Sequence, residues 1–500
     1  MNFIGRVKNY LLKENKVDFI HKNDIGKINK GALQIMNALE KGGYEAYLVG
    51  GSVRDLLLEK VPHDWDITTS ARPDEIVSCA IQNEWKIIDR GGYRFGTVSI
   101  LINENIYEVT TFRSDFYGND SHRPKEICFA KTLKDDLSRR DFTVNAMAID
   151  ADGVIYDYFG GIADLDRRIL RTVGIAKDRF QEDALRLFRA CRFLGQLDFQ
   201  ADKELFRAIS PSLYRVEGLS LSRVKSELQV LMKSDHPARG LDLFVRSGLN
   251  QSSCFVKVNK KKYAVPILPE LSHLVDLPQE KQFHKFDAWN HTLAVVEASP
   301  REDVLRWAAL FHDVGKGMPG VRAIRNGKYT DYGHDSKGAE ISSAVLIRLA
   351  FPPSFISRVV WLVKNHMRFH YFANTETADG KKWLRQISRS GVFKSSADMR
   401  QGIKELMELC KADIIGCGRP FSATNGHQAF GEYMMDLCEE MPVSTKDLRY
   451  DERLIAVLKN HIGEGMKNLL FRVQNGELRN EPETLLEAGN RYRRRHNEEN

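Results

Sequence analysis

The chain changes texture once, near Gly174, and does not change back. Before that point short apolar runs alternate with glycine turns. After it, apolar residues recur at three- and four-residue spacing, beginning with DRFQEDALRLFRACRFLGQL at 178–197. The first pattern belongs to strands and short helices, the second to amphipathic helices. A single switch of this kind excludes one repeating β-α-β sheet for the whole chain. It predicts an α+β molecule, a small mixed-sheet head followed by all-helical parts. Its 500 residues are too many for one core, and roughly 150 residues per domain gives about three.

In the head, apolar spacing over Ile25, Ile28, Leu33, Ile35, Met36 and Leu39 predicts a helix stopped by Gly42-Gly43. AYLVG at 46–50 reads as a strand, Gly50-Gly51 turn it into a helix through VRDLLL, and Asp64-Trp65-Asp66-Ile67 alternates as strands do. WKIID, TVSILI, IYEVTTF and VNAMAID supply further strands up to Asp150. The expected organisation is an N-terminal extension at 1–27, the head at 28–168 and a helical neck at 169–250. A linker at 251–283 follows, marked by Lys257, Lys260, Lys261 and Lys262 and by Pro266, Pro269 and Pro278. A helical domain at 284–420 holds most of the histidines, and a helical tail occupies 421–500.

Composition removes several classes of protein. Hydrophobic residues at 42% and charged residues at 28% exclude a disordered or collagenous chain. No stretch approaches the roughly 18 uncharged apolar residues of a membrane helix. MNFIGRVKNYLLKENK lacks the apolar core of a secretory signal, so no membrane association is expected. Seven scattered cysteines without a C-x-x-C pair point to reduced thiols and a cytoplasmic setting. A net charge of +7 is compatible with an RNA partner without demanding one.

Two constellations carry chemistry. Gly50-Gly51-Ser52, between a strand and a helix, suits phosphate, because glycines let the backbone approach and a helix start offers free N–H groups. Alone it is no more than a turn. Asp64 and Asp66, two apart on the expected strand, would share a face, and carboxylates so placed repel unless a cation lies between them. Such hard oxygen ligands are what Mg2+ takes alongside phosphates. Glu108 offers a third carboxylate, enough for two-metal in-line attack of a hydroxyl on an α-phosphate.

GGSVRDLLL followed by DWDITTSARPDEI resembles the catalytic motif of the class II tRNA nucleotidyltransferase and poly(A) polymerase family. EVTTFR, HRP at 122–124, DLSRRDFTVNAMA, YDYFGGIADLDRR and EDALRLFRACRF follow in that family's order, so the resemblance spans 46–194. It implies a nucleotidyltransferase that adds C, C and A to the 3′ end of tRNA from CTP and ATP without a nucleic-acid template. By position, Asp64 and Asp66 become the Mg2+ carboxylates and catalytic residues together with Glu108. Gly50, Gly51 and Arg54 go to the nucleotide's phosphates, although Arg54 beside Asp55 is as readily a surface ion pair. Arg140, Asp141 and Asn145 go to the ribose, where Asp and Asn can bond a 2′-OH. Arg189 and Arg192 join the nucleotide-binding set.

Asp183 and Arg186 stand three apart on the expected helix and share a face, as an intrahelical salt bridge would. The resemblance makes them a protein template. Cytosine and adenine both present an amino donor beside a ring-nitrogen acceptor, which a carboxylate and a guanidinium match. Uracil and guanine present a carbonyl and an N–H there, leaving both groups unpaired. Gly160-Gly161 suggests a hinge, or simply an interdomain turn. The loop from Arg113 to Pro124 has the length seen in members that add the full CCA.

In the C-terminal half, His291, the adjacent His312-Asp313, His334, His366 and Asp413 recur on helical segments. A metal taking imidazole nitrogen and carboxylate oxygen satisfies such a set. The pattern resembles an HD-domain phosphohydrolase over 284–420, including the two middle histidines of binuclear members, and implies a divalent transition metal. Lys316 after Gly315 positions a phosphate or caps a helix; His284 and His370 read as incidental. For an enzyme of this make-up the resemblance implies phosphodiesterase or phosphatase activity toward RNA 3′ ends. Contacts to tRNA phosphates would come from Arg189, Arg192, Lys257, Lys260 to Lys262, Arg491 and Arg493 to Arg495, each as easily a solvated face. No protein partner is legible. Alternatives are a poly(A) polymerase or a partial CC- or A-adding enzyme. In a different class stands an HD phosphohydrolase with an RNA-binding N-terminal part, against which the intact Asp64-x-Asp66 argues.

Overall fold

A computed structural model describes residues 16–18, 27–117, 124–375 and 377–498. The chain divides into two compact units, Met1–Ile267 and Leu268–Asn500.

The first unit is built on an eight-stranded mixed sheet in the order β1-β10-β9-β2-β3-β6-β5-β4. Its strands are β1 (Lys16–Asp18), β2 (Ala46–Val49), β3 (Ile67–Thr69), β4 (Lys86–Ile88), β5 (Thr97–Ile102) and β6 (Asn105–Thr111). After a separate hairpin, β7 (Arg113–Tyr117) and β8 (Pro124–Phe129), come β9 (Ala148–Ile149) and β10 (Val154–Tyr156). Within this sheet, among the described residues, β3 and β6 are the one parallel pair, with Ile67 opposite Val109. Part of the expected extension therefore belongs to the sheet, since Lys16 pairs with Tyr156. The loop at 118–123, which holds most of the HRP motif and of the 113–124 loop, lies outside the described residues.

The helix Lys30–Lys41 packs Ile35, Met36 and Leu39, all buried, and its first turn is capped by the Asn29 side chain. Beyond the sheet come the helices Ala176–Glu182, Leu185–Leu197, Leu221–Met232 and Pro237–Arg246. The long helix expected over 178–197 is two helices. Asp183, in an extended conformation (φ −139°), ends the first and bonds the Leu185 N–H at 2.9 Å. An Asp oxygen that takes an orphan N–H at a helix start favours such a break.

The expected linker is also partly folded. Ser253–Val258 and Lys261–Pro266 form an antiparallel hairpin, fixed at its base by buried Cys254 and Val265. Alternating apolar residues there carry a strand signal that the lysines and prolines mask.

The second unit is helical. The helices Ala288–Ala298, Asp303–Phe311, His334–Arg348, Pro353–Ala373 and Ser396–Gly416 enclose a core that includes Trp289, Trp307 and Phe369. A small hairpin, Arg322–Arg325 with Lys328–Asp331, precedes the third. Near the C-terminus, Leu454, Leu458, Leu469 and Leu485 gather a separate apolar cluster.

Candidate functional site

Asp64 and Asp66 do not lie on a strand. They sit in the extended lead-in to β3, where the Asp66 carbonyl accepts from Val49 N–H at 3.0 Å. What gathers the carboxylates is the parallel pairing. Because Ile67 faces Val109, one step back sets Asp66 beside Glu108. Burial raises the Asp66 carboxyl to about 6 against the pull of Arg140, and the Glu108 and Asp64 charges add to the rise. A buried carboxyl held against ionisation beside two further carboxylates is the arrangement a divalent cation relieves.

Gly50 turns β2 into the helix Gly51–Leu57 with φ 79°, and a Cβ there would come within 2.9 Å of the Arg140 guanidinium. Glycine is thus required twice over. Arg140 is held from below by Asp136, a fully buried carboxylate that sequence reasoning missed. Burial pushes Asp136 up, yet Arg139 at 2.8 Å and Arg140 at 3.5 Å bring it below the ordinary value. Asp136 also accepts from Thr68 on β3 at 3.1 Å, tying both arginines to that strand. The adjacent acids in KTLKDDLSRR were its one visible sign.

Beside this lies a continuous polar chain. Arg54 bonds Asn145 at 2.8 Å as well as its neighbour Asp55, Asn145 bonds Asp141 at 3.3 Å, and Asp141 receives Arg189 at 2.6 Å. Burial opposes the Asp141 charge, but Arg189 and Arg186 hold its carboxyl down at about 2. Arg192 pairs with Glu227 at 3.2 Å. The Phe193 ring is faced by Arg54, Arg189 and Arg192 at 5.4, 5.3 and 4.4 Å. Arg54 is therefore built into the interior network and is no simple surface ion pair. Glu227 and Phe193 went unread because their partners lie far off in sequence.

Asp183 and Arg186 do not share a helix face, since the break stands between them. Arg186 is aimed by Glu182 at 2.8 Å and by the Arg139 carbonyl at 2.7 Å. Burial pushes Asp183 up to about 7 in spite of Arg186. Gly160-Gly161 starts a helix whose first N–H groups are taken by Asp157 at 2.8 and 3.0 Å, which makes the turn a pinned one.

In the second unit the six expected ligands converge. His312 caps the helix Asp303–Phe311 and Asp313 follows in the turn, rather than both lying on the helix. The imidazole Nε2 atoms of His291 and His312 stand 3.1 Å apart, those of His334 and His366 3.3 Å. His312, His334 and His366 each donate Nδ1–H to a backbone carbonyl, of Ala309, Asp331 and Val363, at 2.6 to 2.7 Å. A carbonyl only accepts, so Nε2 of these rings carries a lone pair. Two lone pairs facing each other at 3.3 Å, as in His334 and His366, need a cation between them.

Asp313 divides the set. One carboxylate oxygen lies 3.3 and 3.2 Å from His291 and His312, and the other lies 3.3 Å from His334. His291, His312 and Asp413 form one trio, Asp313, His334 and His366 the second. Lys316 neither caps a helix nor stands free for phosphate: its ammonium lies 2.6 Å from Asp313 and 2.8 Å from Gln279.

His370 and His284 are not incidental. His370 bonds the outer oxygen of Asp413 at 2.9 Å and is itself held by His427 at 2.8 Å. His284 stacks edgewise on His291 and meets the Cys417 sulfur at 3.3 Å. A cavity of about 490 Å³ opens over Asp313, His334, His370 and Asp413, rimmed by Tyr329 and Arg419.

Comparison with known proteins adds the following. Residues 46–171 match the family described as Poly A polymerase head domain and 287–414 the HD domain. Residues 198–252 match "Probable RNA and SrmB- binding site of polymerase A". A CCA-adding enzyme of Lactobacillus johnsonii is 37% identical over 287 residues, 55% of this chain and 70% of its own length. One of Staphylococcus haemolyticus is 43% identical over 243 residues, 48% of this chain and 60% of its own. Among solved structures, the Bacillus stearothermophilus CCA-adding enzyme in complex with CTP aligns with a TM-score of 0.61 at 25% identity. That alignment covers 96% of this chain and all of the other. Among the described residues no helix is long and apolar enough to cross a membrane.

Proposed function

The chain belongs to the family of CCA-adding enzymes, and from that membership we propose that it extends the 3′ end of tRNA by C, C and A from CTP and ATP. The observation that carries the reading is the set of Asp64, Asp66 and Glu108 carboxylates beside Gly50-Gly51, next to the polar chain of Arg54, Asn145, Asp141 and Arg189. These three carboxylates would hold Mg2+, which when bound activates a hydroxyl and steadies a triphosphate. Gly50, Gly51 and Arg54 receive the phosphates, Arg140, Asp141 and Asn145 the ribose, and Asp183 with Arg186 the base. Arg189 and Arg192 keep that wall charged around Phe193. Free thiols at all seven cysteines agree with work in the cytoplasm.

Incubation with tRNA lacking CCA is the test. Incorporation of two C and one A from CTP and ATP supports the reading. Long tails from ATP alone would favour a poly(A) polymerase, arrest after CC a partial enzyme, and no incorporation would overturn all three.

A second activity, phosphoester hydrolysis, is proposed for the centre around Asp313, on the observation that its two oxygens divide the ligands into two trios. Divalent transition metal ions, when bound, would polarise a phosphoryl oxygen and acidify water. Asp313, its charge balanced by Lys316, would serve as a ligand together with His291, His312, His334, His366 and Asp413, and His370 fixes the Asp413 carboxylate for that role. Hydrolysis of bis-p-nitrophenyl phosphate in added Mn2+ or Co2+, lost in His312→Ala, supports this; equal rates in the two proteins would refute it.

A further inference from the structure

We propose that the hairpin Ser253–Val258/Lys261–Pro266 is a phosphate-gripping finger for the backbone of the bound tRNA. The inference rests on the tRNA reading above and adds to it a binding element that no family match covers.

The base of the hairpin is structural. Cys254 and Val265 are buried, the Phe255 N–H bonds the Leu219 carbonyl at 2.9 Å, and the Ile267 N–H bonds that of Ser252 at 3.0 Å. These bonds root it on residues 219–220 and on the end of the region 198–252, which matches an RNA-binding family. Past Val256 every residue up to Ala264 is exposed on both faces, so the outer half projects from the unit without cover.

That outer half is arranged in a way folding alone does not favour. Lys257 lies directly opposite Lys262, and Lys261 opposite Val258. Like charges facing across a ladder destabilise it. The turn has φ 49° at Asn259 and 67° at Lys260, so a lysine occupies the second position of a tight turn where glycine is the unstrained choice. No carboxylate occurs between Gln251 and Pro269 to offset the four lysines, and among the described residues none of them has an acidic partner. Lys262 is laid over the Phe255 ring at 4.2 Å, which fixes one ammonium on the face it shares with Lys257.

Four cations within six residues, held apart by a ladder and not neutralised, fit a partner that brings its own row of negative charge. A nucleic-acid duplex offers one charge per roughly 1.7 Å of axis, which no single carboxylate does. Rooted on the RNA-binding region, the finger meets tRNA phosphates and reads no sequence.

The test uses the full chain and tRNA lacking CCA. Binding is measured over a range of salt for the wild type, for the variant with Lys257, Lys260, Lys261 and Lys262 all changed to Gln, and for a matching Lys→Arg variant. For the Gln variant the slope of log K against log salt should become shallower by about 0.9 for each phosphate no longer neutralised, so by roughly 2 to 4 overall. The Arg variant keeps the wild-type slope, which separates charge from fold. An unchanged slope in the Gln variant overturns the finger, provided the wild type extends tRNA. A wild type that does not extend tRNA overturns the tRNA reading itself. Unchanged tRNA binding together with lost binding to phosphatidylserine vesicles would assign the lysines to a membrane and equally refute the proposal.

Discussion

In the proposed reading, Asp183 would carry specificity and instability in one side chain. Its carboxyl is raised from 3.8 to about 7 by burial, so the folded protein prefers it protonated, whereas base recognition needs the carboxylate. The group therefore withdraws stability as pH rises from about 4 to about 7, by up to about 4 kcal/mol above that range. Asp183→Asn should raise the melting temperature at pH 8, with the gain shrinking toward pH 4, while discrimination against UTP and GTP is lost. Melting curves and misincorporation assays check the two halves separately. By the same logic, wild-type CMP incorporation should weaken as pH falls below about 7. Asp64→Asn or Asp66→Asn should each remove several kcal/mol of transition-state stabilisation, about a thousandfold in incorporation rate. Both aspartates were legible as a spaced pair. Asp136 was not, because burial and its hold on Arg139 and Arg140 leave no spacing signal.

Among the elements, the parallel pairing of β3 and β6 does the assembling. It brings Glu108, 42 positions beyond Asp66, alongside it, as the offset of Ile67 to Val109 requires. Local pattern found both strands but could not pair them, because register is set by long-range packing. The helix break at Asp183 escaped detection for the opposite reason. Its apolar spacing continues through the break, and only the side-chain bond to Leu185 N–H reveals it. Helix packing likewise explains His370. On the helix Pro353–Ala373 it lies one turn beyond His366, and the helix Ser396–Gly416 supplies the Asp413 oxygen it bonds. His370→Ala should weaken metal binding at the Asp413 trio about 10- to 100-fold, with His370→Gln retaining part of it. Metal titration followed calorimetrically checks this without an activity assay.

For the molecule as a whole, each compact unit contains one of the two candidate sites. Asp313→Asn should accordingly reduce metal content in the second unit and leave the rate of CMP incorporation within about twofold, additivity being the rule for sites that share no partners. Metal analysis and an incorporation assay on one preparation check both. The order of motifs, the α+β character and the residue types of both centres came from sequence alone. Each depends on local spacing, on where glycine must stand, or on which donor atoms a chemistry requires. Tertiary structure alone decided which strands lie side by side, that Arg186 is aimed by Glu182, that the two Asp313 oxygens stand between two histidine pairs, and that the lysines of a supposed linker cap a folded hairpin. Those outcomes turn on pairing and burial between residues far apart in the chain, and no local pattern encodes a distance in space.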